Sequence, residues 1–207
     1  MLPAFCYNPD MYAIHTTPGF VIDSRPHGEA GKLLSIFTRD YGLVLASAQG
    51  IRLEKSKLRY YTQDYSFGNY SLVRGKEFWR LTSAMHDTNP RIARIPRIET
   101  QQLIARLALL LRRLLHGEEP HAELFQVIEA CSDFLNQNES ISIEQLKTLE
   151  SITVLRMLHA LGYIGKDAEL NEVKDSNALS AEMLTSLAGK RASMNQHINK
   201  ALRESQL

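Results

Sequence analysis

The segment Gly28-Glu29-Ala30-Gly31-Lys32 has the glycines and the lysine of a phosphate-binding loop, which would indicate nucleotide chemistry. That motif also requires a glycine five residues before Gly31 and a Ser or Thr after Lys32, and this chain has Pro26 and Leu33 there. His27-Gly28-Glu29 has the spacing of a His-x-Glu zinc-deaminase motif, but the sequence lacks the partner Pro-Cys-x-x-Cys. Neither motif is complete, so neither predicts an enzyme.

The two cysteines, Cys6 and Cys131, lie far apart, as expected of free thiols in a reducing compartment. Without a Cys-x-x-Cys pair there is no cysteine-based zinc site, and the seven histidines are scattered. The sequence also lacks a Gly-x-Ser-x-Gly nucleophile motif. We therefore predict no catalytic residue, no metal and no cofactor. An enzyme that works in a cleft between domains remains a third hypothesis, with turnover in the absence of metal and nucleotide as its signature.

The residues around position 55 are more informative because they combine cations with aromatic rings. Four cations lie within eight residues and are opposed only by Glu54: Arg52, Lys55, Lys57 and Arg59. The aromatic pair Tyr60-Tyr61 follows directly. Cations that neutralise phosphates beside rings that stack on bases are typical of single-strand binding. The alternative is a solvated cationic face with the aromatic rings in the core, as we expect for Phe67, Phe78 and Trp79.

The elements that carry these residues read as short strands separated by turn residues. Alternating apolar runs predict strands at residues 20–24, 32–38, 43–48, 65–73 and 77–82. Helical spacing over residues 53–61 predicts a short helix, on which Arg52, Lys55 and Arg59 would share a face and Lys57 would not. Five strands with a helix after the third are the order of an OB-fold β-barrel, at about residues 19–84.

Residues 86–96 are polar, contain two prolines and end the strand pattern, so we expect a domain boundary there. The predicted fold class is α+β, with an OB-fold domain at 1–88 followed by an all-α helical domain at 89–207. Helices are predicted at 97–115, at 120–136 with Pro120 in its first turn, and from Ser142 with Gln145 as a capping box. We expect the run 106–115 to form a buried helix, Ser180 to cap another, and Gly189 to divide the tail.

The net charge of +1 hides two oppositely charged halves. Residues 1–116 contain sixteen Lys and Arg against nine Asp and Glu, whereas residues 117–207 contain eight against fourteen. A basic half favours a polyanionic partner. The strip Arg91, Arg94 and Arg97 could continue the basic face or pair with the acidic half, and both readings stay open. With no long apolar run and no signal-peptide pattern in residues 1–20, we expect a cytoplasmic protein without a membrane partner.

Several short motifs resemble the RecO family of recombination-mediator DNA-repair proteins. They are Ser24-Arg25-Pro26 with Gly28-Glu29, Phe37-Thr38 with Gly42, Ala48-Gln49-Gly50-Ile51-Arg52 through Lys55-Ser56-Lys57-Leu58, Glu123-Leu124-Phe125, and Leu155 through Leu161-Gly162-Tyr163. The sequence departs from the family twice. Gln49 replaces the usual lysine, and no cysteine follows Tyr163 where many members carry a four-cysteine zinc finger.

The resemblance implies binding to single- and double-stranded DNA, strand annealing, and partnership with RecR and with the acidic C-terminal tail of single-stranded-DNA-binding protein. For the tail we expect a helical groove with Arg106, Arg113 or Arg156 at its edge, and for the protein a nucleoid-associated location. The alternative is an adaptor whose barrel binds a partner protein rather than DNA. The cations that we expect to contact phosphates are Arg25, Lys32, Arg39, Arg52, Lys55, Lys57, Arg59, Arg74 and Lys76, with Arg91, Arg94 and Arg97 as possible additions.

Overall fold

The computed structural model describes residues 13–85, 97–138, 140–165, 173 and 178–205. Five strands form a closed barrel in the order β1-β2-β3-β5-β4. They are β1 (Ile14–His27), β2 (Gly31–Thr38), β3 (Gly42–Ala48), β4 (Phe67–Val73) and β5 (Trp79–Met85). All neighbours are antiparallel except β3 and β5, which run parallel. The predicted OB-fold barrel is confirmed.

Alternation along the strands separates the interior of the barrel from its outer surface. On β2 and β3 the paired residues Leu34 and Ala46, and Ile36 and Val44, point inward and are fully buried. Tyr70 and Trp79 complete this interior core. Residues between them on the same strands point outward, and a bulge after Val21 re-sets the alternation in β1.

The first strand is longer than predicted because it runs through two prolines. β1 begins at Ile14 rather than at residue 20, and it pairs with β4 from that residue onward. Pro18 has no N–H to donate, but its carbonyl accepts a hydrogen bond from the Arg39 N–H at 3.0 Å. Pro18 and Pro26 therefore both lie within β1, although strand patterns usually exclude proline.

A short helix follows the third strand as predicted, but it covers only Lys57–Tyr60 of the predicted residues 53–61 and is a 3-10 helix rather than an α-helix. The loop between β3 and β4, residues 49–66 (the β3–β4 loop), consists of turns and one 3-10 helix at Lys57–Tyr60. Ile51 is buried, and Leu58 and Tyr61 pack against the interior core, so the loop follows the barrel wall closely. Arg52 and Lys55 lie outside any helix and do not share a helical face with Arg59.

Five α-helices follow within the described residues. They are α1 (Ile98–Leu114), α2 (Ala122–Gln137), α3 (Ile143–Ala160), α4 (Ala181–Leu187) and α5 (Arg191–Glu204). The capping box of Ser142 and Gln145, the cap by Ser180 and the division near Gly189 are all confirmed. Pro120 precedes α2 instead of opening it. None of these helices is long and apolar enough to cross a membrane.

Helix α1 is amphipathic, although its sequence predicts burial all round. Leu103, Leu107 and Leu111 form its buried stripe, whereas Leu109 is 61% exposed. Only one face of α1 meets neighbours, because α3 occupies the centre of the helical core and is itself buried along most of its length.

The helices cover one side of the barrel. Phe20, Phe37 and Phe67 point outward from the strands and belong to the same hydrophobic core as the helices. The ring of Phe125 on α2 lies 5.5 Å from that of Phe37 and 6.2 Å from that of Phe67. The barrel and the helices therefore share a core, while the residues 86–96 of the expected boundary lie outside the described residues.

Candidate nucleic-acid interface

Three loops meet at the end of the barrel where β1 turns into β2. The N–H of Arg52 donates to the carbonyl of Ala30 at 3.0 Å, which joins the β3–β4 loop to the β1–β2 turn. The rings of His27 and Phe78 lie 5.8 Å apart, which brings the β4–β5 loop to the same place. We call this region, residues 25–32, 49–66 and 74–80, the loop end. In OB-folds the outer face of strands 2 and 3, with the loops after strands 1 and 4, forms the usual binding surface for oligonucleotides.

Six of the nine predicted cations are exposed at the loop end and form no ion pair with any described residue. Arg52 reaches only the backbone carbonyl of Glu29, at 3.5 Å. The six, which we call the exposed cations, are Arg25, Arg52, Lys55, Lys57, Arg59 and Lys76. Because no carboxylate of the described residues neutralises them, their charge is available to an anionic partner.

The other three predicted cations have partners within the protein. Arg39 binds Glu129 of α2 at 3.0 Å, and its guanidinium lies 5.1 Å above the ring of Phe125. Lys32 is half-buried and donates to the hydroxyl of Ser24 at 3.1 Å. Both side chains hold the protein together, so neither is presented at the surface like the exposed cations.

Arg74 is held by the linker between α1 and α2. Its guanidinium binds the carboxylate of Glu118 at 2.9 Å and lies 5.4 Å from the ring centre of Trp79. The indole N–H of Trp79 donates to the other oxygen of the same carboxylate at 2.8 Å. Glu118 therefore occupies the position on Arg74 that a phosphate would take.

The arginine strip between the domains lies mostly outside the described residues, which include neither Arg91 nor Arg94. Arg97 is described and half-buried. It donates to the backbone carbonyl of Ile141 and lies 3.8 Å from the carboxylate of Glu99. The strip is expected either to continue the basic face or to pair with the acidic half. Arg97 pairs with the helical part.

Arg80 is a surface cation that the sequence reasoning missed. It is exposed on the outer face of β5, where it pairs with Ser47 of β3. Ser47 in turn pairs with Leu33 of β2, and Leu33 pairs with Arg25 of β1. These four residues form one row across four neighbouring strands, with Arg25 and Arg80 at its two ends. Three strand spacings put them roughly 14 Å apart. The signal was available, since alternation from buried Trp79 turns Arg80 outward.

The aromatic residues divide between core and surface. Phe67 and Trp79 are buried as predicted, and Phe78 is half-buried. Tyr61 packs against the interior core, whereas its neighbour Tyr60 is 68% exposed. Of the two adjacent tyrosines, Tyr61 thus belongs to the core and Tyr60 lies in solvent.

The three arginines considered for the helical groove differ in their surroundings. Arg106 forms a two-pronged contact with Glu150, at 2.5 and 2.7 Å. Arg156 is buried and donates to backbone carbonyls, so it lies at no groove edge. Arg113 is exposed. The described residues contain no group of three or more His, Cys, Asp or Glu side chains that could hold a metal ion.

Comparison with known proteins identifies relatives of this barrel and part of the helical region. Residues 11–87 match the family described as Recombination protein O N terminal. The DNA repair protein RecO of Desulfitobacterium hafniense is 30% identical over 135 residues, which cover 60% of this chain and 48% of that protein. The DNA repair protein RecO of Clostridium perfringens is 30% identical over 152 residues, which cover 73% and 59%.

A third relative, the DNA repair protein RecO of Rubrobacter xylanophilus, is 31% identical over 127 residues, which cover 61% of this chain and 50% of that protein. The chain thus spans about half the length of the curated relatives it matches. The resemblance to the RecO family that the sequence motifs indicate is confirmed.

Proposed function

Because this chain is a relative of the RecO proteins and its barrel matches their N-terminal domain, we propose that it is a non-enzymatic mediator of DNA repair and recombination. In this role it binds single- and double-stranded DNA, promotes strand annealing, and helps to load recombinase onto strands coated with single-stranded-DNA-binding protein. The observation that carries the proposal is the group of six exposed cations at the loop end, none with an acidic partner among the described residues.

Phosphate contact is the role that suits these cations. An ammonium or guanidinium group in solvent gains little from an isolated surface ion pair, but it releases condensed counterions when it replaces them on DNA. Phosphate contacts carry no sequence information, so the protein binds strands of any base sequence. A mediator that anneals complementary strands requires this indifference to sequence.

The partners in this proposal come from the family resemblance. RecR and the acidic tail of single-stranded-DNA-binding protein are the proposed protein partners, and a cytoplasmic, nucleoid-associated location follows from DNA as the ligand. Arg113 is exposed on α1, whereas Arg106 is paired with Glu150 and Arg156 is buried, so Arg113 is the arginine best able to meet an acidic peptide. Calorimetry with the tail peptide and the full-length Arg113→Ala variant tests this contact separately from DNA binding.

The DNA surface is tested by removing three exposed cations together. We expect the triple variant Arg52→Ala, Lys55→Ala, Arg59→Ala to bind a labelled single strand more weakly, with the slope of log affinity against log salt reduced by about 0.7 for each lost contact. The fold should persist, because surface substitutions shift stability by only about 0.5 kcal/mol.

A control variant matches this change in charge on the helical side: Arg113→Ala, Lys190→Ala, Arg203→Ala, all exposed in the structure. It should keep the parent's DNA affinity and salt slope. If both triple variants bind like the parent at every salt concentration, the loop end is not the DNA site. If the parent protein binds no DNA at low salt, the result favours the alternative that the barrel binds a partner protein.

A further inference from the structure

The 3-10 helix at Lys57–Tyr60 arranges its side chains differently from an α-helix. Side chains three residues apart in a 3-10 helix lie one above the other, and each residue rises about 2.0 Å. Lys57 and Tyr60 therefore share one edge, with backbone positions about 6 Å apart along the axis. Leu58 and Tyr61, three apart in the same way, share the edge that packs against the interior core of the barrel.

The edge formed by Lys57 and Tyr60 faces solvent. The Tyr60 side chain is 68% exposed and makes no hydrogen bond or ring contact with any described residue. Lys57 is exposed and has no acidic partner among those residues. Single exposed rings are common on protein surfaces, but here the opposite edge of the helix is held to the core, so the Tyr60 ring stays in solvent beside an exposed cation, where a partner can reach it.

We propose that Tyr60 stacks on an unpaired base while Lys57 binds the adjoining phosphate, so that the β3–β4 loop distinguishes single-stranded from double-stranded DNA. This inference rests on the proposed DNA-binding function and assigns to one residue the preference for strand form. The separation of the two side chains is one that the base and phosphate of a single nucleotide can bridge.

The preference follows from what each form of DNA presents. In a single strand, bases are free to leave their neighbours and stack on a protein ring, and every base has a face that can do so. In a duplex, the bases are already stacked, so the loop end meets only phosphates. Tyr60 should then add affinity for single strands alone, whereas the cations add affinity for both forms.

The test compares Tyr60→Ala with the parent protein on a labelled single strand and on a duplex of the same sequence. We expect single-strand affinity to fall about five- to hundredfold, the range of one base stack, and duplex affinity to stay unchanged. The salt slope should also stay unchanged, because losing a stack releases no counterions. Lys57→Ala should instead lower the salt slope on both forms of DNA.

Two further variants separate stacking from general disturbance. Tyr60→Phe keeps the ring and should retain the parent's affinity, and Tyr163→Ala removes a 39% exposed tyrosine from the helical part and should change nothing. If the parent binds both forms of DNA, and Tyr60→Ala binds each form with the parent's affinity, the stacking inference is overturned while DNA binding stands. If the parent binds neither form, the proposed function itself fails.

Discussion

Arg156 of α3 is a charged residue with only 3% of its surface exposed. Its guanidinium donates to the carbonyl of Val173 at 2.7 Å and to that of Ala178 at 3.3 Å. Burial lowers its pKa to about 10, so the group is still a cation at neutral pH. Arg156 therefore ties Val173 and Ala178 to the central helix.

Removing this tie should destabilise the protein. We expect Arg156→Met to lower the free energy of unfolding by about 2–4 kcal/mol, because two carbonyls lose their donor in a buried site. The exposed control Arg113→Met should change it by no more than about 0.5 kcal/mol. Urea unfolding measures both. Equal midpoints for the two variants would mean that Arg156 does not hold these carbonyls.

Which cations face a partner inside the protein could not be predicted from the sequence. Arg39 and Arg74 look as free as Arg52 in the printed sequence, and their acids lie 90 and 44 residues further along the chain. Only the packing of α2 and its preceding linker on the barrel brings those carboxylates within reach. Residue type predicts which side chains could bind phosphate, but long-range contacts decide which cations remain exposed.

The linker between α1 and α2 acts as an element that fastens the helices to the barrel. The carbonyl of Gly117 accepts from the N–H of Leu43 at 3.1 Å, and Glu118 binds Arg74 and Trp79. Gly42 has φ +65°, and a Cβ there would lie 2.2 Å from the carbonyl oxygen of Glu119, so only glycine fits. The linker thus places a carboxylate against Arg74 at the edge of the loop end.

Neutralising Glu118 should release Arg74 to the DNA. We expect Glu118→Gln to bind a single strand more tightly than the parent, with the salt slope steeper by about 0.7, the value of one added phosphate contact. Stability should fall by no more than about 1 kcal/mol, since the ion pair is largely exposed.

Glu204→Gln, which removes one acid from the end of α5, serves as the charge-matched control for this experiment and should leave the slope as it is. A Glu118→Gln slope identical to the parent's would show that Arg74 lies beyond the reach of DNA. If the steeper slope of Glu118→Gln comes from Arg74 binding DNA, the double variant Arg74→Ala, Glu118→Gln should have the parent's slope.

At the level of elements, the sequence predicts strands better than loops. Alternation alone locates all five strands of the barrel, because one face of each strand must be apolar. It fails for the β3–β4 loop, where Leu58 and Tyr61 match an α-helical spacing but are held to the barrel wall by a 3-10 turn. Tertiary packing thus overrides the local pattern.

At the scale of the whole molecule, the opposite charges of the two halves serve two purposes. Part of the imbalance is used internally, where Glu129 and Glu118 of the acidic half bind Arg39 and Arg74 of the barrel. Six further cations of the basic half are the exposed cations at the loop end, with Arg80 beside them on β5. The helices pack on the outer surface of the barrel through Phe20, Phe37 and Phe67, and the six exposed cations lie outside this contact.

The most direct test of this account is the affinity of the full-length protein for a labelled single strand across a salt series from about 50 to 200 mM. Six phosphate contacts at about 0.7 each predict a slope of about −4 in log affinity against log salt. The slope should be the same for strands of different base sequence. Absence of binding at the lowest salt, or a slope near zero, would contradict the central claim that the loop end of the barrel binds DNA through its exposed cations.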